Sequence, residues 1–454
     1  MLPPMLRRAW LFALASCGRI GFDPTAIDVA GTATGISFGT SGAERVSRPD
    51  VDAEGNVYLS GNYHAPLMIG GELLPHTGTV NGYLASFDPA HGLRWAHGYG
   101  GDDLTEATRV VVAEDGTNFI AGLFSGSLVL PDGTHDSGAG QNIWVASHGR
   151  DGVFRWSRDY GGNWNFQPRS MSLSRDGSRV AVGGLYLSTT STMFGPHTLG
   201  PSGVDNPFVL TLDAAGAEQS VVRMSALGPA RNSALRYRDD GRMCRGGQFE
   251  LTIDFEDDAM VDAVARGAED AFVGIATADG TSVWATALGS PETDEINDVA
   301  AVGDDCVFVG KVDNAVELGG SEPGGLVVRY RRDSTRVWHR SLGGYSRAFA
   351  VTALPSGSVL VSGFFAGTWS PTGVAVTAVG DGDGYVAEID TNGDVTRLWI
   401  VSGTGNDSVA GAVLAGDEIV ITGTFSATLP IVGGTLEAST PGELDVFVLR
   451  VPYE

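Results

Sequence analysis

The sequence contains one lysine, Lys311, and its 29 basic residues are outnumbered by 54 acidic ones. The formal net charge is therefore −25 at pH 7. A charge of this sign and size argues against binding to nucleic acid, and against docking on anionic lipid through a basic patch. We expect no nucleic acid among the partners of this protein.

Helical patterns are also scarce, because no run places apolar residues at i, i+3, i+4 and i+7 over three turns. No apolar stretch reaches the length that a membrane-spanning helix needs. Glycine, in contrast, is abundant: its 65 residues are about twice the usual share. Glycine spread evenly among Thr, Ser, Asp and Val indicates many short strands joined by turns.

Recognisable catalytic motifs are missing. The eight histidines are scattered, and none belongs to a spacing typical of zinc sites. The chain has no G-x-S-x-G elbow, no P-loop and no G-x-G-x-x-G that opens a helix. The sequence therefore predicts no bound cofactor.

The N-terminus carries an export signal. Arg7 and Arg8 precede a short apolar segment, AWLFALAS, and Leu14-Ala15-Ser16-Cys17 follows it. This arrangement resembles a bacterial lipoprotein signal peptide, which implies a signal over residues 1–16 and a lipid on Cys17. Residues 17–33 are then expected to be a tether. The alternative is an ordinary signal peptide that is cut after an alanine, with Cys17 incidental.

One sequence unit occurs seven times from residue 34 to residue 454. Each copy has an apolar strand ending near a glycine and then an alternating strand such as NGYLASFD. In the first six copies a turn and a strand such as LRWAHGYGG follow. A further strand precedes each glycine. The aligned glycines are Gly61, Gly122, Gly184, Gly247, Gly310, Gly363 and Gly423, and the aligned tryptophans are Trp95, Trp156, Trp284, Trp338 and Trp399.

Four strands in each of seven units predict an all-β, seven-bladed β-propeller of antiparallel blades. The seventh copy lacks its last strand, whereas TGISFGTSG near the N-terminus resembles that strand without a unit of its own. We therefore expect residues 34–38 to pair with residues 445–452 and close the ring. An open β-solenoid and two separate β-domains are the alternatives.

The motifs W-x-x-x-x-G-G, D/E-G-N-V-Y-x-x-G and D-x-F-V resemble the SBBP-type repeat of bacterial surface proteins. They also resemble related repeats in lipoproteins of myxobacteria. The resemblance implies a propeller on the cell envelope and carries no catalytic residues with it. Because Gly18 stands where an Asp would signal retention, we expect the outer membrane.

Cys244 and Cys306 lie in the second strands of neighbouring units, at positions three and four residues before the aligned glycine. Side chains alternate faces along a strand, so these two side chains can meet across the interface of adjacent blades. A disulfide is possible and suits an exported protein. Two buried free thiols are the alternative.

Acidic turns offer weak calcium candidates, of which Asp381 and Asp383 are the best. Turn geometry explains DTNGD (390–394) more simply. The repeated tryptophans are expected to pack between blades, and an exposed platform for sugars is the alternative.

The sequence favours a monomeric, non-enzymatic binding or scaffold module, held to the membrane only by its lipid, that recognises a protein or glycan through loops on one face. A glycosidase-like or lyase-like enzyme is the alternative. It would need carboxylates, or a Tyr and a His, at the central channel. A quinone-cofactor protein would need an adjacent cysteine pair, which the chain lacks.

Overall fold

The computed structural model describes residues 26–162, 164–255, 260, 262–319 and 322–453. The predicted signal peptide, Cys17 and the first part of the predicted tether lie outside this part of the chain. The described residues contain no α-helix, and only two 3-10 turns, Val29–Gly31 and Val316–Leu318, interrupt the strands. The all-β prediction is confirmed.

Most strands form four-stranded antiparallel meanders, which we call sheets 1 to 7 in chain order. Sheet 1 contains Arg45–Val46 with Asp50–Val51, Val57–Tyr63, Asn81–Phe87 and Leu93–Tyr99. Sheet 2 contains Thr105–Val112, Asn118–Leu130, Gly133–His148 and Phe154–Tyr160. Sheet 3 contains Asn165–Leu173, Arg179–Ser188, Ser202–Asp213 and Glu218–Arg223. Sheet 4 contains Ala230–Tyr237, Met243–Phe249, Asp270–Ala276 and Ser282–Leu288. Sheet 5 contains Glu295–Val302, Asp305–Val312, Gly324–Tyr330 and Arg336–Ser341. Sheet 6 contains Tyr345–Ala353, Val359–Ala366, Asp383–Ile389 and Val395–Val401. Sheet 7 contains Ser408–Ala415, Glu418–Phe425, Asp445–Pro452 and, from the N-terminal side of the chain, Thr34–Phe38.

Small hairpins occupy the extra length between the second and third strands of most sheets. Separate pairs are Leu67–Ile69 with Glu72–Leu74, Thr192–Phe194 with His197–Leu199, Thr252–Asp254 with Ala263–Val264, Thr368–Trp369 with Val376–Thr377, and Thr428–Ile431 with Gly434–Glu437. Ser225–Ala226 adds a strand to the third pair, and in sheet 2 the long strands extend into a hairpin of their own. A single parallel pair, Gln141 with Asn165, joins sheet 2 to sheet 3.

The hydrophobic core lies between consecutive sheets, because buried side chains of one sheet pack on those of the next. Tyr58 and Leu84 of sheet 1 share a cluster with Ile120 of sheet 2, and Cys244 of sheet 4 shares one with Phe308 of sheet 5. Face-to-face packing of successive four-stranded meanders is the arrangement of a β-propeller. The propeller fold is thus established by the packing of the sheets.

The last sheet also contacts the first. Val420 and Val448 of sheet 7 share a buried cluster with Leu59 of sheet 1, and the Thr422 hydroxyl donates to the Ser47 carbonyl at 3.3 Å. Residues 34–38 pair antiparallel with residues 446–450, from Thr34–Arg450 to Phe38–Val446. The strand pairing expected between the two ends of the repeat region is therefore present.

Part of the predicted tether is packed on the sheets. Ala26–Asp28 pairs in parallel with Leu398, Trp399 and Ile400 at the outer edge of sheet 6, and Val29 and Ala33 are fully buried. A free tether over these residues would have left Val29 in water. The described part of the tether, residues 26–33, is thus an added edge strand and a 3-10 turn, in contrast to the sequence-based expectation.

The seven repeat glycines share one environment. A Cβ atom built on any of them would lie 1.9 to 2.0 Å from a carbonyl oxygen of the neighbouring inner strand, such as the Arg347 oxygen at Gly363. In every sheet except sheet 5, where Leu326 stands opposite Gly310, an aromatic residue of the third strand lies opposite the glycine. In sheet 6, for example, the Tyr385 hydroxyl donates to the Arg347 carbonyl at 3.1 Å. Glycine is needed there because only a residue without a side chain allows this close approach of backbones.

Four of the five repeat tryptophans connect one sheet to the next. Each indole Nε1–H donates to a carbonyl in the turn between the third and fourth strands of the following sheet; the pairs are Trp95 with Arg150, Trp156 with Ala214, Trp284 with Arg332, and Trp338 with Thr391, at 2.9 to 3.1 Å. In sheet 3, which lacks the tryptophan, the Ser220 hydroxyl donates to the Asp279 carbonyl instead.

Trp399 does not belong to this series, which corrects the sequence alignment. Trp95 pairs with Ser86 in its sheet, whereas the equivalent register position in sheet 6 pairs Glu388 with Arg397. The Arg397 guanidinium lies 4.9 Å from the centre of the Tyr453 ring. Trp399 is two residues further along and fully buried, so it serves the core of sheets 6 and 7.

Cys244 and Cys306 are joined by a disulfide between the second strands of sheets 4 and 5. Their Cα atoms are 5.9 Å apart, within the range that a disulfide spans. Both residues are fully buried in the cluster that the two sheets share. The bond therefore adds a covalent link between two sheets that also adhere through side-chain packing and through the Trp284–Arg332 hydrogen bond.

Buried carboxyl groups close the loops that lead into three inner strands. The Asp407 carboxylate accepts the Gly403 N–H at 2.6 Å, Asp294 accepts that of Ser290 at 2.6 Å, and Glu44 accepts that of Thr40 at 2.8 Å. Burial raises the pKa of Asp407 to about 7, and those of Asp294 and Glu44 to about 6. In each case a second carboxylate nearby raises the pKa further.

We predict that the free energy of unfolding increases as pH is lowered from 8 to 5. The native carboxyls bind protons that the unfolded chain, with ordinary pKa values of 3.8 and 4.5, releases. This stabilisation is complete below about pH 4 and is lost as pH rises through 6 to 7. For Asp407 alone the gain is on the order of 2 kcal/mol, and urea unfolding at each pH measures it.

The matched variant is Asp407→Asn, which keeps an oxygen for the Gly403 N–H but does not titrate. Its unfolding free energy should depend less on pH between 5 and 8 than that of the native protein. An identical slope in both proteins would contradict the assignment to Asp407.

Candidate ligand site at the axis

The candidate site starts from an irregularity that the inner strands share. An extra residue interrupts the pairing of the inner strand in sheets 2 to 7: Thr108, Arg169, Ser233, Asn297, Phe349 and Ala410 are the unpaired positions. A β-bulge redirects the side chain of the extra residue. In a propeller the inner strands surround the axis, so a bulge repeated in this way presents side chains to the central channel.

One cavity of about 430 Å³ collects these side chains. Four bulge residues line it, namely Arg169, Ser233, Asn297 and Phe349, and the remaining lining residues are Arg109, Arg231, Gln248 and Glu295. Five consecutive sheets, 2 to 6, thus contribute to one site. The volume lies in the range of small-molecule sites. Its lining is polar and contains three arginines against one glutamate, although the chain as a whole is strongly acidic.

One of the three arginines, Arg231, and the glutamate, Glu295, already have partners of opposite charge. Arg231 forms an ion pair with Glu269 at 2.9 Å, and Glu295 pairs with Arg347 at 3.1 Å. Glu269 directly precedes the third strand of sheet 4, on the loop that follows the inserted hairpin. The loop between the inserted hairpin and the third strand of sheet 4 therefore reaches the rim of the cavity. We call the side of the sheets on which this loop lies the loop face.

Arg109 and Arg169 have no such partner. Neither forms an ion pair with a carboxylate of the described residues; Arg109 donates from Nε to the Arg169 carbonyl at 3.4 Å, and Arg169 donates to the Gln167 amide oxygen at 2.8 Å. Arg109 is half-buried and Arg169 is exposed. Burial lowers the pKa of the Arg109 guanidinium, and the nearby Asp298 partly offsets this shift, because desolvation disfavours the charged form whereas an opposite charge favours it.

Further along the channel the charges neutralise one another. Arg48 of sheet 1 pairs with Asp298 of sheet 5 at 2.8 Å, and the Asp298 carboxylate also accepts the Val351 N–H at 3.0 Å. Sheets 1 and 5 are not consecutive, Arg48 lies between the two segments of the inner strand of sheet 1, and Asp298 lies on the inner strand of sheet 5, so this ion pair crosses the channel. Arg236 lies near this ion pair, and burial together with the charge of Arg48 lowers its pKa to about 10. Burial raises the pKa of Asp50, which lies near Arg236 and Arg48.

The arrangement is suited to holding an anion more than to acid–base catalysis. A glycosidase needs one carboxyl that donates a proton and a second carboxylate that faces the same bond. Here Asp298 and Glu295 are each bound to an arginine. The two uncompensated groups, Arg109 and Arg169, are cations with free N–H donors.

The residues predicted from the sequence lie elsewhere. Asp383 is fully buried and accepts the Val379 N–H at 3.1 Å, and Asp381 is exposed. Within the described part of the chain, no group of three or more His, Cys, Asp or Glu side chains could hold a metal ion. In the turn at DTNGD, Asp390 accepts the N–H groups of Asn392 and Asp394, as the turn interpretation predicts.

The axial arginines were missed by sequence reasoning because they sit in the most variable strand of the repeat. A positional signal exists, however. The bulge residues of sheets 3 to 6 stand between 13 and 15 residues before the aligned glycine. Aligning the repeats on that position would have placed Arg169, Ser233, Asn297 and Phe349 together.

No protein-family model matches the chain, and no curated protein sequence matches it. Among solved structures, it is similar to a catalytically inactive virginiamycin B lyase from Staphylococcus aureus with quinupristin (8% identity, 92% of this chain and 98% of that chain, TM-score 0.46). It is also similar to Sqt1 from Chaetomium thermophilum bound to the N-terminus of ribosomal protein L10 (11%, 95% and 99%, 0.45). Prolyl oligopeptidase B from Galerina marginata is a third neighbour (8%, 88% and 49%, 0.43). At these values the neighbours say nothing about the function of this chain.

Proposed function

We propose that this protein is a lipid-anchored, non-enzymatic binding module of the bacterial cell envelope, built as a closed seven-bladed β-propeller over residues 34–454. Sheets 1 to 7 are the blades. The buried cluster that sheets 7 and 1 share, and the pairing of residues 34–38 with the last strand, support closure of the ring. No helix among the described residues has the length and apolarity of a membrane span, and attachment is assigned to a lipid on Cys17.

The observation that carries the binding role is the axial cavity. It gathers polar side chains from sheets 2 to 5 and Phe349 from sheet 6, and Glu269, which pairs with Arg231, connects its rim to the loop before the third strand of sheet 4. Binding sites of this kind combine a rigid scaffold with side chains delivered by loops and strand irregularities. The protein then acts as a monomer that holds an envelope component, a glycan or a protein, at its loop face.

The anchor is tested by expressing the native chain and the Cys17→Ala variant in a bacterial host fed with labelled palmitate. Label and membrane association are expected for the native protein, and loss of both for Cys17→Ala. Equal membrane association without label would contradict a lipid anchor. A soluble native protein would contradict an envelope role through this residue.

The binding role is tested with purified protein and separated envelope fractions of polysaccharide, peptidoglycan and protein. Saturable retention of one fraction, without chemical change to it over hours, is expected. Cleavage of a glycan by the purified protein would show that the enzyme alternative is correct. Retention of none of the fractions would contradict the proposal.

A further inference from the structure

We infer that the axial cavity is a receptor site for an oxyanion, a carboxylate or phosphate group of the ligand, which Arg109 and Arg169 hold between them. The inference rests on the proposed function for its biological setting only. The site itself follows from the charges and contacts of the described residues.

The first step is the imbalance of charge at the cavity. Its lining contains Arg109, Arg169 and Arg231 but one carboxylate, Glu295. Glu295 and Arg231 each have a partner of opposite sign outside the lining, Arg347 and Glu269. Arg109 and Arg169 therefore remain without an ion pair among the described residues, although Asp298 lies near Arg109, and Glu106 and Asp205 lie near Arg169.

The second step is the energetic cost of that arrangement in the absence of a ligand. A guanidinium that is partly removed from water loses hydration, and it recovers this loss only through a counter-ion or several hydrogen bonds. Arg109 is half-buried, and its single hydrogen bond within the described residues uses Nε. Its terminal nitrogens are thus available for an acceptor that the ligand brings.

The third step is the geometry of the donors. A guanidinium presents parallel N–H groups that match the two oxygens of a carboxylate or phosphate. Ser233, Gln248 and Asn297 add neutral hydrogen-bonding groups to the same wall, and Phe349 adds an apolar face. This set suits an oxyanion attached to a polar organic body, such as a hydroxy acid, a sugar phosphate or the acidic end of a polysaccharide.

Beyond the cavity the charges of the channel are balanced, because Arg236 and Arg48 lie near Asp298 and Asp50. Arg48 and Asp298 form an ion pair across the channel, and Asp50 lies near Arg236 and Arg48. An anionic group is therefore expected to stop at the level of Arg109, with the rest of the ligand extending toward the loop face.

The experiment is calorimetric titration of the purified full-length protein with citrate, inorganic phosphate and a uronic-acid oligosaccharide, with glucose as a neutral probe. Binding of at least one anion with a dissociation constant below about 1 mM, and none of glucose, is expected. Arg109→Gln and Arg169→Gln should each weaken it by a factor of ten or more. Arg175→Gln, which removes an exposed arginine paired with Asp239 on a turn, should leave it unchanged.

The three probes separate the sources of the anion. Binding of citrate or phosphate alone assigns a small free anion, and binding of the oligosaccharide assigns an acidic glycan; either supports the inference. Equal, weak heats for all salts that persist in Arg109→Gln would overturn it. If the variants fold, as judged by unchanged urea midpoints, and still retain an envelope fraction, the result supports the binding role and contradicts the anion site. If citrate binds but no envelope fraction is retained, the result supports the anion site and contradicts the binding role.

Discussion

Replacing Gly363 with alanine is expected to lower the free energy of unfolding by about 3 kcal/mol or more. The new Cβ atom would lie 1.9 Å from the Arg347 carbonyl oxygen and 3.0 Å from the Tyr385 ring. Because a backbone atom is in the way, no rotamer change can relieve the contact, and the second strand must separate from the inner strand. Urea unfolding followed by fluorescence measures the loss.

The matched control is Gly203→Ala in the third strand of sheet 3. Gly203 is exposed, and a Cβ built on it meets no atom within 4 Å. Its unfolding free energy should change by less than about 1 kcal/mol. If Gly363→Ala proved as stable as Gly203→Ala, the close approach of the two strands in the structure would be wrong.

The second large effect is expected from the disulfide. Replacing both Cys244 and Cys306 with alanine should cost about 3–4 kcal/mol, because the bond closes a loop with a sequence separation of 62 residues and restricts the unfolded chain. Urea unfolding of native and variant proteins, each with and without reductant, measures the difference. Reductant should destabilise only the native protein.

Non-reducing peptide mapping provides the direct check. A crosslinked peptide that contains both cysteines is expected, and alkylation of the folded protein should modify neither, since both are fully buried. Two alkylatable thiols after unfolding without reductant would exclude the bond.

The fold could be predicted from the sequence because the repeat has a steric cause at every copy. The aligned glycine of each unit is required by the backbone that crosses it. The strand 34–38 was predictable as a missing partner, since its pattern matched a position that the last unit lacked. Such local constraints leave a signal in a single sequence.

The register of Trp399 and the packing of residues 26–33 could not be predicted in the same way. Sheet 6 has Arg397 where sheets 1, 2, 4 and 5 have tryptophan, so the alignment wrongly placed the nearby Trp399 in the series. Residues 26–28 pair with an edge that becomes available only after the sheets are assembled. The axial site was hidden for a related reason: Arg109 and Arg169 are distant in sequence from Asn297 and Phe349, and only the arrangement of sheets around an axis brings them together.

The short parallel strand Ala26–Asp28 has a mechanical consequence for a chain that is held from its N-terminal side. A pull on the backbone at residue 26 is met first by the hydrogen bonds to Leu398–Ile400 and by the buried side chain of Val29. The load must detach these contacts before it reaches Thr34–Phe38 in sheet 7. In the lipid-anchored protein that we propose, this segment would therefore bear a pull on the anchor before the strand Thr34–Phe38 does.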